Sequence, residues 1–124
     1  MFDSMEKKTL VIGASVNPQR YSFIAVNKLR SNNHPVVAIG RKMAKVGDVA
    51  IDIEKKDYTD IDTVTLYLNP VNQREYYDYI LSLHPKRIIF NPGAENKEFS
   101  DLAKIKNITT LNACTLVLLS THQF

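Results

Sequence analysis

The sequence predicts an α/β fold: a single domain built on a three-layer, doubly wound parallel sheet. Short apolar runs rich in β-branched residues recur along the chain, and they lack the alternation of a sheet wetted on one face. Stretches with helical spacing separate most of these runs, which is the pattern of strands joined by helical crossovers. The length of 124 residues, with 44% hydrophobic and 23% charged, suits one globular domain with a core of its own.

Residues 1–7 are expected to be a flexible, polar leader, with the first strand beginning near its end and running over 8–12. Gly13, Ala14 and Ser15 then form a small-residue turn, and Asn17-Pro18 reads as an N-cap followed by proline at the first helical position. Tyr21, Ile24, Ala25 and Leu29 recur at helical spacing, and Ser31 to Pro35 supplies the turn formers that end that helix. Val36-Val37-Ala38-Ile39 is the second strand, closed by Gly40-Arg41-Lys42. These pieces make one βαβ unit, which is right-handed in nearly all proteins.

The pattern weakens over 43–62, where Val49, Ala50 and Ile51 predict a short edge strand without a long crossover helix. Residues 63–68 form a longer strand ending in Asn69-Pro70, and a helix is predicted over 71–83 from the spacing of Tyr76, Tyr77, Ile80, Leu81 and Leu83. Arg87 to Phe90 is the next strand and Asn91-Pro92-Gly93 turns out of it. A helix over 95–106, a strand over 108–111 and a helix over 114–119 complete the chain. Six strands result, in the expected order 3-2-1-4-5-6. That order brings the turns at 13–18, 40–42, 69–70 and 91–93 to the carboxyl edge, beside the point where strand order reverses.

Composition narrows the classes of function. No run is apolar and long enough for a membrane span, and the amino terminus lacks the apolar stretch of a signal peptide, so the expected compartment is the cytoplasm. One cysteine excludes an internal disulfide framework. The net charge of +3 favours an anionic ligand, yet the basic residues are scattered and form no stripe suited to nucleic acid. No metal-ligand spacing, nucleophile elbow or paired carboxylates point to catalysis.

Strand, small turn and helix N-terminus together suit a phosphate, since the first N–H groups of a helix lack internal partners. A dinucleotide fingerprint would need G-x-G-x-x-G and an acidic residue closing the second strand. Here Ser15 and Pro18 occupy the later glycine positions and Arg41-Lys42 replaces the acid, which disfavours NAD. A ribose phosphate would suit that basic pair. Both NADP and coenzyme A carry one, and the residues alone fit either.

Gly13-Ala14-Ser15 with Asn17-Pro18, the basic pair after the second strand, Tyr67-Leu68-Asn69-Pro70, and Asn91-Pro92-Gly93-Ala94-Glu95-Asn96 together resemble the CoA-binding domain family. The likeness runs from Lys8 to about Thr115. Such domains are similar to the amino-terminal domain of the succinyl-CoA synthetase alpha subunit, and the resemblance implies a Rossmann-like fold that binds coenzyme A or a short acyl-CoA without catalysis of its own. It implies that Ser15, Val16, Asn17 and Pro18 lie along the phosphates and pantetheine arm. Ile39, Gly40, Arg41 and Lys42 would border the adenosine end, Tyr67, Leu68, Asn69 and Pro70 would wall the adenine, and Asn91, Pro92 and Gly93 would face the pantetheine end. The synthetase's second domain has no counterpart here, so ligase activity is not expected. An NADP-binding oxidoreductase subunit and a regulatory scaffold that has lost its ligand are the alternatives.

Each residue also has a plainer reading. Gly13 and Asn91-Pro92-Gly93 suit ordinary turns, and Arg41, Lys42 and Lys45 suit solvated loops. Cys114 fits a buried small hydrophobe, or else a thiol placed near the coenzyme's own. His34 and His84, each before a proline, are expected at the surface. Tyr76, Tyr77 and Tyr79 fall on several faces of one helix, which leaves one for a contact with a protein partner or a second copy.

Overall fold

Seven strands make one sheet in the computed structural model, which describes residues 6–124. They are β1 (Thr9–Ala14), β2 (Val36–Gly40), β3 (Ala44–Val46), β4 (Val49–Asp52), β5 (Thr63–Leu66), β6 (Arg87–Phe90) and β7 (Thr109–Asn112). Their order is β3-β4-β2-β1-β5-β6-β7, parallel throughout except for the β3–β4 hairpin. Apart from β3, this is the expected order.

The unalternating runs are explained by burial on both faces. Leu10 and Ile12 pack with Val64, Leu66, Ile88 and Phe90 beneath Ile80 of α3 (Tyr77–Leu83) and Phe99 of α4 (Lys97–Ile105). Val11, Ala38 and Ile89 face the other way, toward Val26 and Leu29 of α1 (Tyr21–Ser31) and Leu119 of α5 (Thr115–Ser120). The short α2 (Pro70–Gln73) follows β5 on the α3 side. A three-layer, doubly wound, Rossmann-like sheet results.

Several elements differ from expectation. The strand β3 is absent from the sequence reading; it pairs with β4 through Val46↔Val49, and Gly47 (φ +58°) makes the intervening turn possible. The helix expected over 71–83 is interrupted by a 3-10 turn at Arg74–Tyr76. Asn17-Pro18 does not start α1. The Asn17 side chain instead accepts from the Gln19 N–H, the Asn17 carbonyl accepts from the Arg20 N–H, and the chain re-extends at Arg20 (φ −84°, ψ 139°) before the helix begins at Tyr21. The later helix likewise begins at Lys97 rather than Glu95, because Asn96 caps it by accepting from the Phe99 N–H.

None of the three tyrosines stands free of the core. Tyr77 stacks on Phe99 at 4.4 Å between ring centroids, Tyr79 donates to the Lys56 carbonyl, and Tyr76 packs on the same cluster. His84 is exposed, as expected, whereas His34 is half-buried.

Of the expected leader, residues 1–5 lie outside the described residues, and Lys7 is tied to the amino edge of the sheet. Its N–H donates to His34 Nδ1 at 3.0 Å and its ammonium to the Phe124 carbonyl. The Phe124 ring lies 4.9 Å from His34 and 4.3 Å from the Arg87 guanidinium. An imidazole that accepts at Nδ1 is neutral, and burial, then Lys7 and Arg87, hold its pKa below the usual 6.5 against the weaker pull of Asp62 and Glu6. Stability is therefore expected to be full above about pH 6.5 and to fall as pH drops toward the lower folded value, because the unfolded chain binds the proton more readily. Urea unfolding at about pH 7.5 and about pH 5 should show this decline in the parent and less of it in His34→Gln.

Candidate functional site

At the carboxyl end of β1 the chain carries one extra residue. Ile12 pairs with Ile39 but Ala14 pairs with Gly40, so Gly13 bulges, and its φ of +91° is a conformation that suits glycine. A Cβ on Gly13 would stand 3.0 Å from the Tyr67 carbonyl carbon and oxygen. Gly40 accommodates the other side of the bulge, where a Cβ would lie 2.4 Å from the Ala14 carbonyl oxygen and 2.9 Å from Ile51 Cγ2. The two glycines thus let β1 turn sharply between β2 and β5, where the sheet's winding reverses. Strand packing alone accounts for both.

The turn after the bulge is an exposed rim. Asn17 N–H donates to Ser15 Oγ, and Val16, Asn17 and Pro18 are exposed. Arg20 and Phe23 N–H groups find acceptors at Asn17 and Arg20, so the Tyr21 and Ser22 N–H groups are the open donors of the α1 N-terminus among the described residues. The helix N-terminus with open N–H groups lies three residues beyond its expected place.

Beside it, β2 ends in Gly40 followed by the exposed Arg41 and Lys42. Neither has an ion-pair partner among the described residues. A carboxylate does reach this edge, from β4 rather than β2, since Asp52 pairs in register with Ile39. It is already engaged: Lys56 Nζ lies 3.2 Å away and the Tyr58 hydroxyl donates to it at 3.0 Å.

Tyr67 and Leu68 straddle the sheet, the first packing with the α1–α5 layer and the second with the α3–α4 layer. Asn69 caps α2 by accepting from the Asn72 N–H, with Pro70 at the first helical position, and both are exposed. Two buried residues that sequence reasoning left without a role fix this turn to the next one. Gln73 donates to the Leu68 and Ala94 carbonyls at 2.8 and 2.7 Å and accepts from Asn96 Nδ2, which also donates to the Tyr77 hydroxyl. Asn96 stood in the quoted motif; Gln73 carried no signal beyond being polar on a short helix.

Asn91 turns inward. Its amide nitrogen donates to Thr65 Oγ1 and the Leu66 carbonyl, and its oxygen accepts from the Thr115 N–H at the start of α5. Pro92 and Gly93 are exposed at the same edge. Cys114 is half-buried at the N-cap of α5 and near the Tyr67 phenol. Burial pushes that phenol up to about 12, an effect the Thr115 and Thr65 hydroxyls partly offset. No group makes a full hydrogen bond to it among the described residues. His34 lies at the opposite edge, beside Lys7 and Phe124 and away from the thiol.

The 13–18, 40–42 and 67–70 segments and Pro92-Gly93 therefore share the carboxyl edge around the switch in strand order, while Asn91 serves it from beneath. Among the described residues no helix is long and apolar enough to cross a membrane.

Comparison with known proteins gives these features a family context. A family model described as CoA binding domain matches residues 7–120. A solved crystal structure of an uncharacterized protein is 44% identical, with a TM-score of 0.94, the match covering 97% of this chain and 99% of that one. A hypothetical protein from Pyrococcus horikoshii OT3 is 24% identical with a TM-score of 0.84, over 94% of this chain and 83% of that one. An oxidoreductase from Bacillus cereus shares the fold at 16% identity and a TM-score of 0.58, over 85% of this chain and 34% of its own. Among curated proteins none matches.

Proposed function

This chain belongs to the CoA binding domain family, and from that membership we propose that it is a cytoplasmic protein that holds coenzyme A or a short acyl-CoA at the carboxyl edge of its sheet without transforming it. The observation that carries the reading is the family match across 7–120, which spans every turn on that edge. Two features of the edge suit an anionic nucleotide. The Tyr21 and Ser22 N–H groups, without acceptors among the described residues, stand at a positive helix end that suits a diphosphate lying along Ser15 to Pro18. Arg41 and Lys42, without ion-pair partners among the described residues, suit the ribose phosphate. Leu68 and Pro70 offer apolar surface to the adenine, and Pro92-Gly93 borders the pantetheine end.

Thermal unfolding with CoA, dephospho-CoA, acetyl-CoA, NAD and NADP under reducing conditions tests this. A ligand present at ~100 times its Kd adds about 2.7 kcal/mol. For a domain of this length that is a shift of roughly 10 °C. CoA is expected to shift the transition more than dephospho-CoA does, and Arg41→Ala with Lys42→Ala should reduce the CoA shift while leaving that of dephospho-CoA nearly unchanged. A preference for NADP would favour an oxidoreductase subunit. No shift with any ligand would leave a scaffold whose function lies in a protein partner.

A further inference from the structure

The loop after β4 and the 3-10 turn after α2 are distant in sequence, and the fold brings them together beside the end of β2. Lys55 Nζ stands 4.9 Å above the centre of the Tyr76 ring and donates to the Glu75 carbonyl at 2.7 Å. The next residue, Lys56, has its carbonyl taken by the Tyr79 hydroxyl, so two successive residues of the loop are stitched to the same helical segment. Arg41 leaves the neighbouring strand end: Ile39 pairs with Asp52, and Arg41 and Glu54 each lie two residues further on. Electrostatics agree. Burial and the Glu75 carboxylate push the Tyr76 phenol up, while the Arg41 guanidinium draws it down, as a cation on this side of the ring does.

Arg41 and Lys55 are exposed, and neither has an ion-pair partner among the described residues. Tyr76 is half-buried and packed against the core cluster beneath it, so its ring is held in place. An ammonium has three N–H donors, and Lys55 spends one on Glu75. Two remain.

Resting on the reading of the site given above, we infer that Lys55 and Tyr76 complete the ribose-phosphate subsite. Arg41 grips the phosphate monoester from the β2 side and Lys55 from the β4 side, while Tyr76 presents a flat wall to the adenosine. Arg41 supplies planar, forked donors, whereas Lys55 supplies a point charge whose direction is fixed by the ring beneath it and the carbonyl beside it. A dianionic monoester suits two cations from opposite loops better than an unphosphorylated ribose does. Selectivity for the phosphorylated coenzyme then depends on the loop that replaces a crossover helix.

Isothermal titration of the whole protein with CoA, dephospho-CoA and the adenosine bisphosphate half of CoA tests the inference. Lys55→Ala is expected to weaken CoA and the bisphosphate by about tenfold, the loss of a charge-assisted hydrogen bond, and to leave dephospho-CoA nearly unchanged. Lys55→Arg should restore most of the loss, and Tyr76→Leu should weaken all three ligands. Lys55 is exposed, so the alanine variant is expected to keep the parent's melting temperature. CoA binding that is indifferent to Lys55→Ala, or that falls equally for CoA and dephospho-CoA, would overturn the clamp and leave CoA binding intact. Failure of the parent to bind either CoA or the bisphosphate would overturn both readings.

Discussion

Gly40→Val should cost the fold about 3 kcal/mol or more and lower the melting temperature by roughly 10 °C or more. The reason lies in the strand bulge. Gly13 inserts one residue into β1 and drives the Ala14 carbonyl toward β2, where a Cβ on Gly40 would meet that oxygen at 2.4 Å and Ile51 Cγ2 at 2.9 Å. The oxygen belongs to backbone held by β1–β2 pairing, so it cannot swing away as a side-chain tip would. Relief would require separating β1 from β2 or moving β4, and both strands carry buried core. Gly93→Ala is the control: its φ, unlike that of Gly40, is left-handed at +93°, yet nothing lies within 4 Å of its Cβ position, so only the backbone cost of about 1 kcal/mol is expected. Equal melting temperatures for the two variants would mean that β2 relaxes far more easily than the packing implies.

The same bulge shows what the sequence could convey. Leu10-Val11-Ile12 and Val36 to Ile39 announce strands because both faces of each are covered, and the order of the parallel strands follows from right-handed crossovers. Which turns meet at the carboxyl edge was legible for the same reason, since every parallel strand ends at one edge. Ala44-Lys45-Val46 was not legible as a strand, being three residues long with an exposed lysine at its centre; the Gly47-Asp48 turn between two valines was the available signal. Asn17-Pro18 misled because an asparagine side chain can close a local turn as readily as it caps a helix. The direction of a side chain was the least legible feature. Asn91 in a turn motif reads like a ligand contact, and nothing local says that Thr65 and Thr115 wait beneath it. Lys55 and Tyr76 meet only through tertiary structure, after a loop that sequence reading left without form.

The inward turn of Asn91 makes it the residue whose loss should be felt both in stability and at the site. It is 2% exposed, and from the turn just after β6 its amide joins two elements: β5 through Thr65 Oγ1 at 2.7 Å and the Leu66 carbonyl at 2.9 Å, and α5 through the Thr115 N–H at 2.9 Å. Thr65 and Thr115 are themselves buried and share a hydrogen bond of 2.8 Å. Asn91→Ala removes three bonds and leaves a buried N–H and a buried carbonyl without partners, at about 1–3 kcal/mol each, so a loss of roughly 3–4 kcal/mol is expected in urea unfolding. The Thr115 N–H anchors the first turn of α5, next to Cys114, so its release should also make that half-buried thiol react faster with an aromatic disulfide reagent under native conditions. Thr115→Val acts on the same network, and the double variant should lose less than the sum of the two single losses. Strict additivity, with an unchanged thiol reaction rate, would show that Asn91 stabilises its own turn alone and does not hold α5 to the carboxyl edge.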